Sequence, residues 1–420
     1  MNEKKLDVFL PTFDLSSYIS NYKGYTRIER LIFISEHCSS LSIEALEFAI
    51  NLSQSDTLDT VLYEKLAILL QKKCPDKNIT LNVDWILETK NKAKSILQKL
   101  EFALQSYKNS FIKESIRMGY NSLGDHYYTC RDLDNSLKFY SKASEFCTTP
   151  KHVMNTLLNI IKVSLEQKKF LSIQSQLSRM QNTSLKNEIN SKIQVISGLV
   201  HFNLGNYREA ALTFCMIKNE KNIEFNDIIS INDVVIYAII CALPSFSRHE
   251  LKQYIIDNTE FRKLLELEPQ ILEVALTFYS SNYSKCFDIL NRLKNDFILD
   301  IYLSKNVDNI FLYIRQKAYI LYLKPFSSVD LRKMANVFLF LLENIEKELI
   351  QLIMESKICA KIDNVKKFLI IIESDQHDTI YKRIHKISSE YKKCVKLSLV
   401  HMNLVKEGLE VKPISNSINI

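Results

Sequence analysis

Histidines, cysteines and clustered carboxylates are the residues from which a hydrolase, a thiol enzyme or a metal centre would be built. His37 and Cys38 are adjacent, but neighbouring side chains on a helix diverge by about 100°, which prevents the imidazole from taking the thiol proton. There is no His-x-His pair with a spaced Asp, no His-Glu-x-x-His and no Gly-rich phosphate loop. His126 and His152 read as packing and capping residues. Nine cysteines lie scattered from Cys38 to Cys394 without a Cys-x-x-Cys pair, the pattern of reduced core thiols. An enzyme, a metal site and a cofactor are all unexpected from these residues.

The elements around them are helical. With 46% hydrophobic and 25% charged residues, but only 6 Gly and 7 Pro, the chain can bury a large core and is unsuited to an all-β architecture. No apolar run approaches a membrane span, so a soluble intracellular protein is expected. The net charge of +7 is modest for 420 residues and does not by itself imply nucleic acid.

Tyr120, Leu123, Tyr127 and Tyr128 keep a helical period, the segment 131–134 turns the chain, and Leu137, Phe139 and Tyr140 resume the apolar stripe. Shifted by 74 residues, Gly124 falls on Gly198, Tyr128 on Phe202, Leu133 on Tyr207, Ser136 on Ala210 and Tyr140 on Phe214. Half that shift reaches Phe170, and echoes follow at Phe246 and Tyr283. The period of the turns 133, 170, 207, 246 and 283 fits tetratricopeptide-like helix pairs, each burying its apolar side on the next.

In chain order, residues 1–20 read as a flexible lead-in and 21–300 as the helical repeat domain. A helix begins near Tyr22 with Thr26 as its N-cap. Ile28, Leu31, Ile32 and Ser35 face inward, and Arg27, Glu29, Arg30 and Glu36 sit on the polar side. Arg27 and Arg30 are thus a candidate partner surface, with solvated ion pairs as the plainer explanation. Residues 74–82 read as a loop, and a spine helix spans 85–112, against which hairpins are expected to pack.

The segment 301–374 reads as three helices and a two-stranded wing. Its helices cover Asn309–Tyr322, a stretch from Phe326 capped by Ser327 or Ser328, and Leu341–Met354. A groove-facing helix carrying Glu343, Glu346, Glu348 and Glu355 would be repelled by phosphates, so duplex binding is disfavoured. Phe368, Ile370 and Ile372 lie in a nearly unbroken apolar wing strand whose edge would pair with a neighbouring subunit's wing; burial in its own core explains part of it. In 377–406, Ile380, Ile384, Ile387, Tyr391, Cys394, Ser398, Met402 and Val405 form a heptad-like seam that an isolated helix leaves in water. It would fold back on the repeats or join a bundle of helices from other chains. Residues 407–420 read as a disordered tail.

Tyr22-Lys23-Gly24 with Arg27 to Leu31, Asp84-Trp85, Ile112 to Asn121, Leu123 to Tyr128, Pro150 to Val153 and Asn159 to Ser164 closely resemble the COP9 signalosome subunit 1 family, of the PCI-domain class. The match is dense from Tyr22 to about Gln181 and thins from about Lys218 to Asp300. The family commonly has Gly where Arg131 stands and Pro where Ser39 stands, so a left-handed backbone at Arg131 is not expected. The resemblance implies a mainly α fold: a right-handed superhelix of TPR-like repeats, a winged helix forming the PCI domain, and a long C-terminal helix in a bundle. It further implies a non-catalytic scaffold, without cofactor, in the complex that removes a ubiquitin-like modifier from cullins. Its partners would be other PCI subunits, the isopeptidase subunits and a cullin-RING ligase, in cytoplasm and nucleus, with no membrane. The related proteasome lid subunit and a winged-helix nucleic-acid binder are the alternatives.

Overall fold

A computed structural model describes residues 11, 13–74, 82–181, 190–217, 226–372 and 376–409. The lead-in through residue 10, the loop at 75–81 and the tail from 410 lie outside the described residues. The chain divides into two compact units, Met1–Leu321 and Tyr322–Ile420.

In the first unit, helices open at Leu133, Phe170, Tyr207 and Tyr283, four of the five turn positions expected from the repeat. Two residues earlier, Arg131, Lys168, Gly205 and Ser281 all adopt positive φ. Each turn closes alike: the amide nitrogens of Asp132, Lys169, Asn206 and Asn282 donate to the carbonyls of Tyr127, Ser164, His201 and Thr277, five residues back. This is the Schellman ending of a helix, repeated four times, and only one copy uses glycine. The expectation at Arg131 is therefore corrected, since its φ is 65°. A left-handed L-residue costs about 1–2 kcal/mol. Here the closing hydrogen bonds, an ion pair with Glu166 and stacking of the guanidinium 3.4 Å from the Tyr25 ring centroid offset it.

The turn near Phe246 differs. Phe246 is buried but extended, and it ends the helix Ile231–Ser245. Ser247 and Glu250 then form a capping box that starts a short helix running into a π-helical turn, Lys252–Ile256. The Gly124/Gly198 correspondence has a packing cause. A Cβ on Gly124 would lie 2.5 Å from the Tyr140 ring, and one on Gly198 2.5 Å from that of Phe214.

Four helices, Leu15–Ser20, Tyr25–His37, Ser42–Asp56 and Thr60–Lys73, precede the repeats. Leu15 and Ile19 are buried with Leu31, Ile34, Leu46 and Leu70 against Ile298 and Leu299. The flexible lead-in is thus corrected at residues 15–20, where two apolar side chains anchor a helix capped by Asp14. The long helix spans Val83–Ser110 but buries only Ile86, Thr89 and Leu104, and Phe102 is 76% exposed. Through Leu97, Leu100 and Leu104 it packs on Ile116, Tyr120 and Leu123 of the first hairpin.

The second unit holds β1 (Ser328–Asp330), β2 (Ala360–Asp363) and β3 (Phe368–Ile371), in the order β1-β3-β2, all antiparallel. The stretch expected to open a helix at Ser327 or Ser328 is instead strand β1, and the helix Leu331–Phe338 is capped by Asp330. A second helix, Leu342–Met354, leads to the wing, and the long helix Gln376–Lys406 follows it.

Candidate functional site

Arg30 defines the first notable site. The chain at Lys23 runs along the segment before helix Ile231–Ser245, with the Lys23 amide donating to the Asn226 carbonyl at 3.0 Å. Gly24, at φ 64°, is the N-cap of helix Tyr25–His37. The Thr26 hydroxyl, expected to cap, donates instead to the Asp227 carbonyl. One turn on, Arg30 is only 1% exposed. Its Nη2 reaches Asp233 Oδ2 at 2.9 Å, and its Nη1 reaches Asp300 Oδ2 at 3.1 Å and the Tyr18 hydroxyl at 2.5 Å. The Tyr22 ring lies 4.1 Å from the guanidinium carbon, and its hydroxyl donates to Asp233 at 2.7 Å. Tyr237 donates to Asp300 at 2.8 Å, and the Tyr302 amide does so at the same distance.

The placement of Arg30 on a polar partner surface is therefore corrected: it is a buried tie between the N-terminal helices and carboxylates 203 and 270 residues away. Arg27 is half-buried, with its Nε donating to the Tyr22 carbonyl. Burial pushes the Asp233 carboxyl up, opposed by Arg30, while Asp233 and its neighbours hold the guanidinium protonated. The Tyr18, Tyr22 and Tyr237 hydroxyls are pushed up chiefly by burial and remain donors. The sequence carried one overlooked signal. Asp233 is a lone acid opening the apolar run Val234–Leu243, and a buried carboxylate needs a cation.

The chemistry-bearing residues elsewhere are otherwise engaged. His37 stacks on Phe33 and contacts its carbonyl, while Cys38 Sγ lies 3.2 Å from Ser40. His126 Nε2 lies 3.7 Å from Cys130 Sγ, but burial lowers the imidazole and raises the thiol. That pair stays neutral, and a neutral thiol is a poor nucleophile. Among the described residues no group of three or more His, Cys, Asp or Glu is placed to hold a metal ion.

The second unit supplies a surface. Phe368, Ile370 and Ile372 alternate outward, with Ile370 49% exposed, while Leu369 is buried. β3 lies between β1 and β2, so both of its edges are already paired, which corrects the expectation of edge-to-edge pairing through this strand. What it offers is an apolar face. On the last helix Ile380, Ile384, Ile387, Tyr391, Cys394, Met402 and Val405 are all exposed, Ile384 at 59% and Tyr391 at 70%. Leu397 and Val400 beside this seam are exposed as well.

The PCI domain family matches residues 282–373 and thus contains the sheet and both helices before the wing. The family described as 26S proteasome subunit RPN7 matches residues 82–254. COP9 signalosome complex subunit 1 of Arabidopsis thaliana is 36% identical over 398 residues, covering 94% of this chain and 90% of the relative. The chain belongs to the COP9 signalosome subunit 1 family. Subunit 1 of Emericella nidulans is 34% identical over 96% of this chain and 84% of its own length, and subunit 1b of Drosophila melanogaster 30% over 98% and 89%. As a PCI-domain member of the subunit 1 family, the chain is mainly helical, with helical repeats preceding the PCI region.

Proposed function

We propose that the chain is a non-catalytic scaffold subunit of a COP9 signalosome, acting in cytoplasm and nucleus. It supports removal of a ubiquitin-like modifier from cullins by an isopeptidase subunit, and so regulates cullin-RING ligases. In this reading the repeats wind as a right-handed superhelix offered to the ligase or adjacent subunits. The sheet face of the wing meets other PCI subunits, and the last helix enters a bundle. The observation that carries it is the continuous exposure of Ile380, Ile384, Ile387 and Tyr391 along the last helix. Such a seam is unfavourable in water and favourable between helices.

Co-expression with the other signalosome subunits tests this reading. The full chain is expected to enter a complex that removes the modifier from a cullin, and Ile384→Asp with Ile387→Asp to be left out of it. Co-purification with proteasome lid subunits instead would favour the lid reading, for which the match at residues 82–254 speaks. The helix Leu342–Met354 gives little to a nucleic acid, since Glu343, Glu346 and Glu348 stand on it and Glu346 already pairs with Lys367 at 2.9 Å.

A further inference from the structure

The last helix changes character half-way along. Counting about 100° per residue, Ile380, Ile384, Ile387, Tyr391 and Cys394 fall within about 80° of one another and form the single seam described above. The line opposite runs through Lys382, Lys386, Ser389 and Lys393, and continues at the same spacing through Leu397, Val400 and Leu404. It is basic over the first half of the helix and aliphatic over the second. Leu397 is 69% exposed and Val400 55%. Val395 and Leu399, between this stripe and the seam, are exposed too. Apolar side chains therefore surround most of residues 395–405, and the widest gap, of about 100°, holds Lys396 and Asn403.

We propose that residues 395–405 are held between two helices of sister subunits, one on the seam and one on the stripe of Leu397, Val400 and Leu404. Residues 380–393 meet the first of these alone and keep their lysine face outward. The proposal deepens the bundle reading and rests on it. A single partner helix covers one seam and would leave the second stripe in water. A membrane is a poor occupant. Residues 395–405 rise about 16 Å, roughly half of a hydrocarbon core, and no described helix is long and apolar enough to cross one. A helix lying on a membrane surface needs one broad polar face, which 395–405 lacks. Charge opposes a second copy of this chain. Within 376–406, Lys and Arg number seven against two acids, Asp378 and Glu390, so copies side by side would repel. The complementary occupant of the second stripe is a helix whose apolar face is bordered by Asp or Glu, which would meet Lys393 and Lys396 where the stripe begins.

The test co-expresses the full chain with the other signalosome subunits and measures the fraction recovered in the complex. Val400→Asp with Leu404→Asp is expected to lower that fraction about tenfold or more, as the loss of a buried contact does. Lys386→Ser with Lys393→Ser should stay within about twofold of the unaltered chain, as expected of an exposed face. A second measurement needs no variant: hydroxyl-radical labelling of Leu397 and Val400 should fall severalfold on assembly. Entry of the Val400/Leu404 variant like the unaltered chain, with Ile384→Asp and Ile387→Asp together still left out, would overturn the two-helix placement and leave the bundle reading standing. Entry of the Ile384/Ile387 variant would overturn both. Unchanged labelling of Leu397 and Val400 on assembly, or loss of the lysine variant to the same degree as the Val400/Leu404 one, would also overturn the placement. A stable dimer of the isolated chain in sedimentation, with both residues already protected, would overturn sister subunits as the occupant.

Discussion

Arg30, a charged side chain, is buried in the first unit, and Ile384, an apolar one, is exposed in the second. Each would be unfavourable alone, and they are handled in opposite ways. The guanidinium finds two carboxylates and two tyrosines, Tyr18 and Tyr22, within its own unit, and the carboxylates come from segments far away in sequence. The isoleucine stays 59% exposed. Buried ion pairs add little net stability, but removal of one partner leaves the others unpaired, so such a tie fixes which segments meet. The first unit therefore satisfies its buried charge from its own segments, whereas the second leaves an apolar face exposed.

Breaking the tie is expected to have the largest effect. Arg30→Met leaves Asp233 and Asp300 buried without a cation and should lower unfolding free energy by about 3–5 kcal/mol, measured by urea denaturation. Overfilling the repeat interior comes next. Gly198→Ala, and likewise Gly124→Ala, forces a methyl group against an aromatic ring, an expected loss of about 1–3 kcal/mol by the same measurement. Ser247→Ala removes the cap of the divergent turn at about 1 kcal/mol. The Ser247 amide holds the Glu250 carboxyl below the usual carboxylate range. Its contribution is therefore present at neutral pH and lost as pH falls through that lowered value, and a Glu250→Gln variant should lack this acid-dependent loss. Ile370→Asp with Ile384→Asp should change the stability of the isolated chain by less than about 0.5 kcal/mol and abolish assembly with sister subunits.

The repeat was legible because its signal is local and recurs. Leu133, Phe170, Tyr207 and Tyr283 each open a helix, and the Gly124–Tyr140 and Gly198–Phe214 pairs are one packing solution used twice. The left-handed turn residue was not legible, because a Schellman ending sets the backbone and tolerates Arg, Lys or Ser when the side chain or closing hydrogen bonds repay the strain. Arg30 was misplaced for a different reason. Periodicity assigns a charge to the polar face, and only the positions of Asp233 and Asp300 in space reverse that. β1 was missed because three residues give no alternation to read, and its pairing with β3 is what moves the apolar strand from an edge to the middle of the sheet. The seam of the last helix was readable since it needs only a period, and the Arg30 tie was not, since its partners come from residues as distant as Tyr18 and Asp300.

Hydrogen–deuterium exchange of residues 376–406, in the isolated chain and in the complex with its sister subunits, tests the central claim most directly. A helix without tertiary packing exchanges fast, and burial of its seam slows it. The account predicts rapid exchange in the isolated chain and strong protection in the complex, with the amides around Arg30 equally protected in both. Protection of residues 376–406 already complete in the isolated chain, or unchanged on assembly, would contradict it.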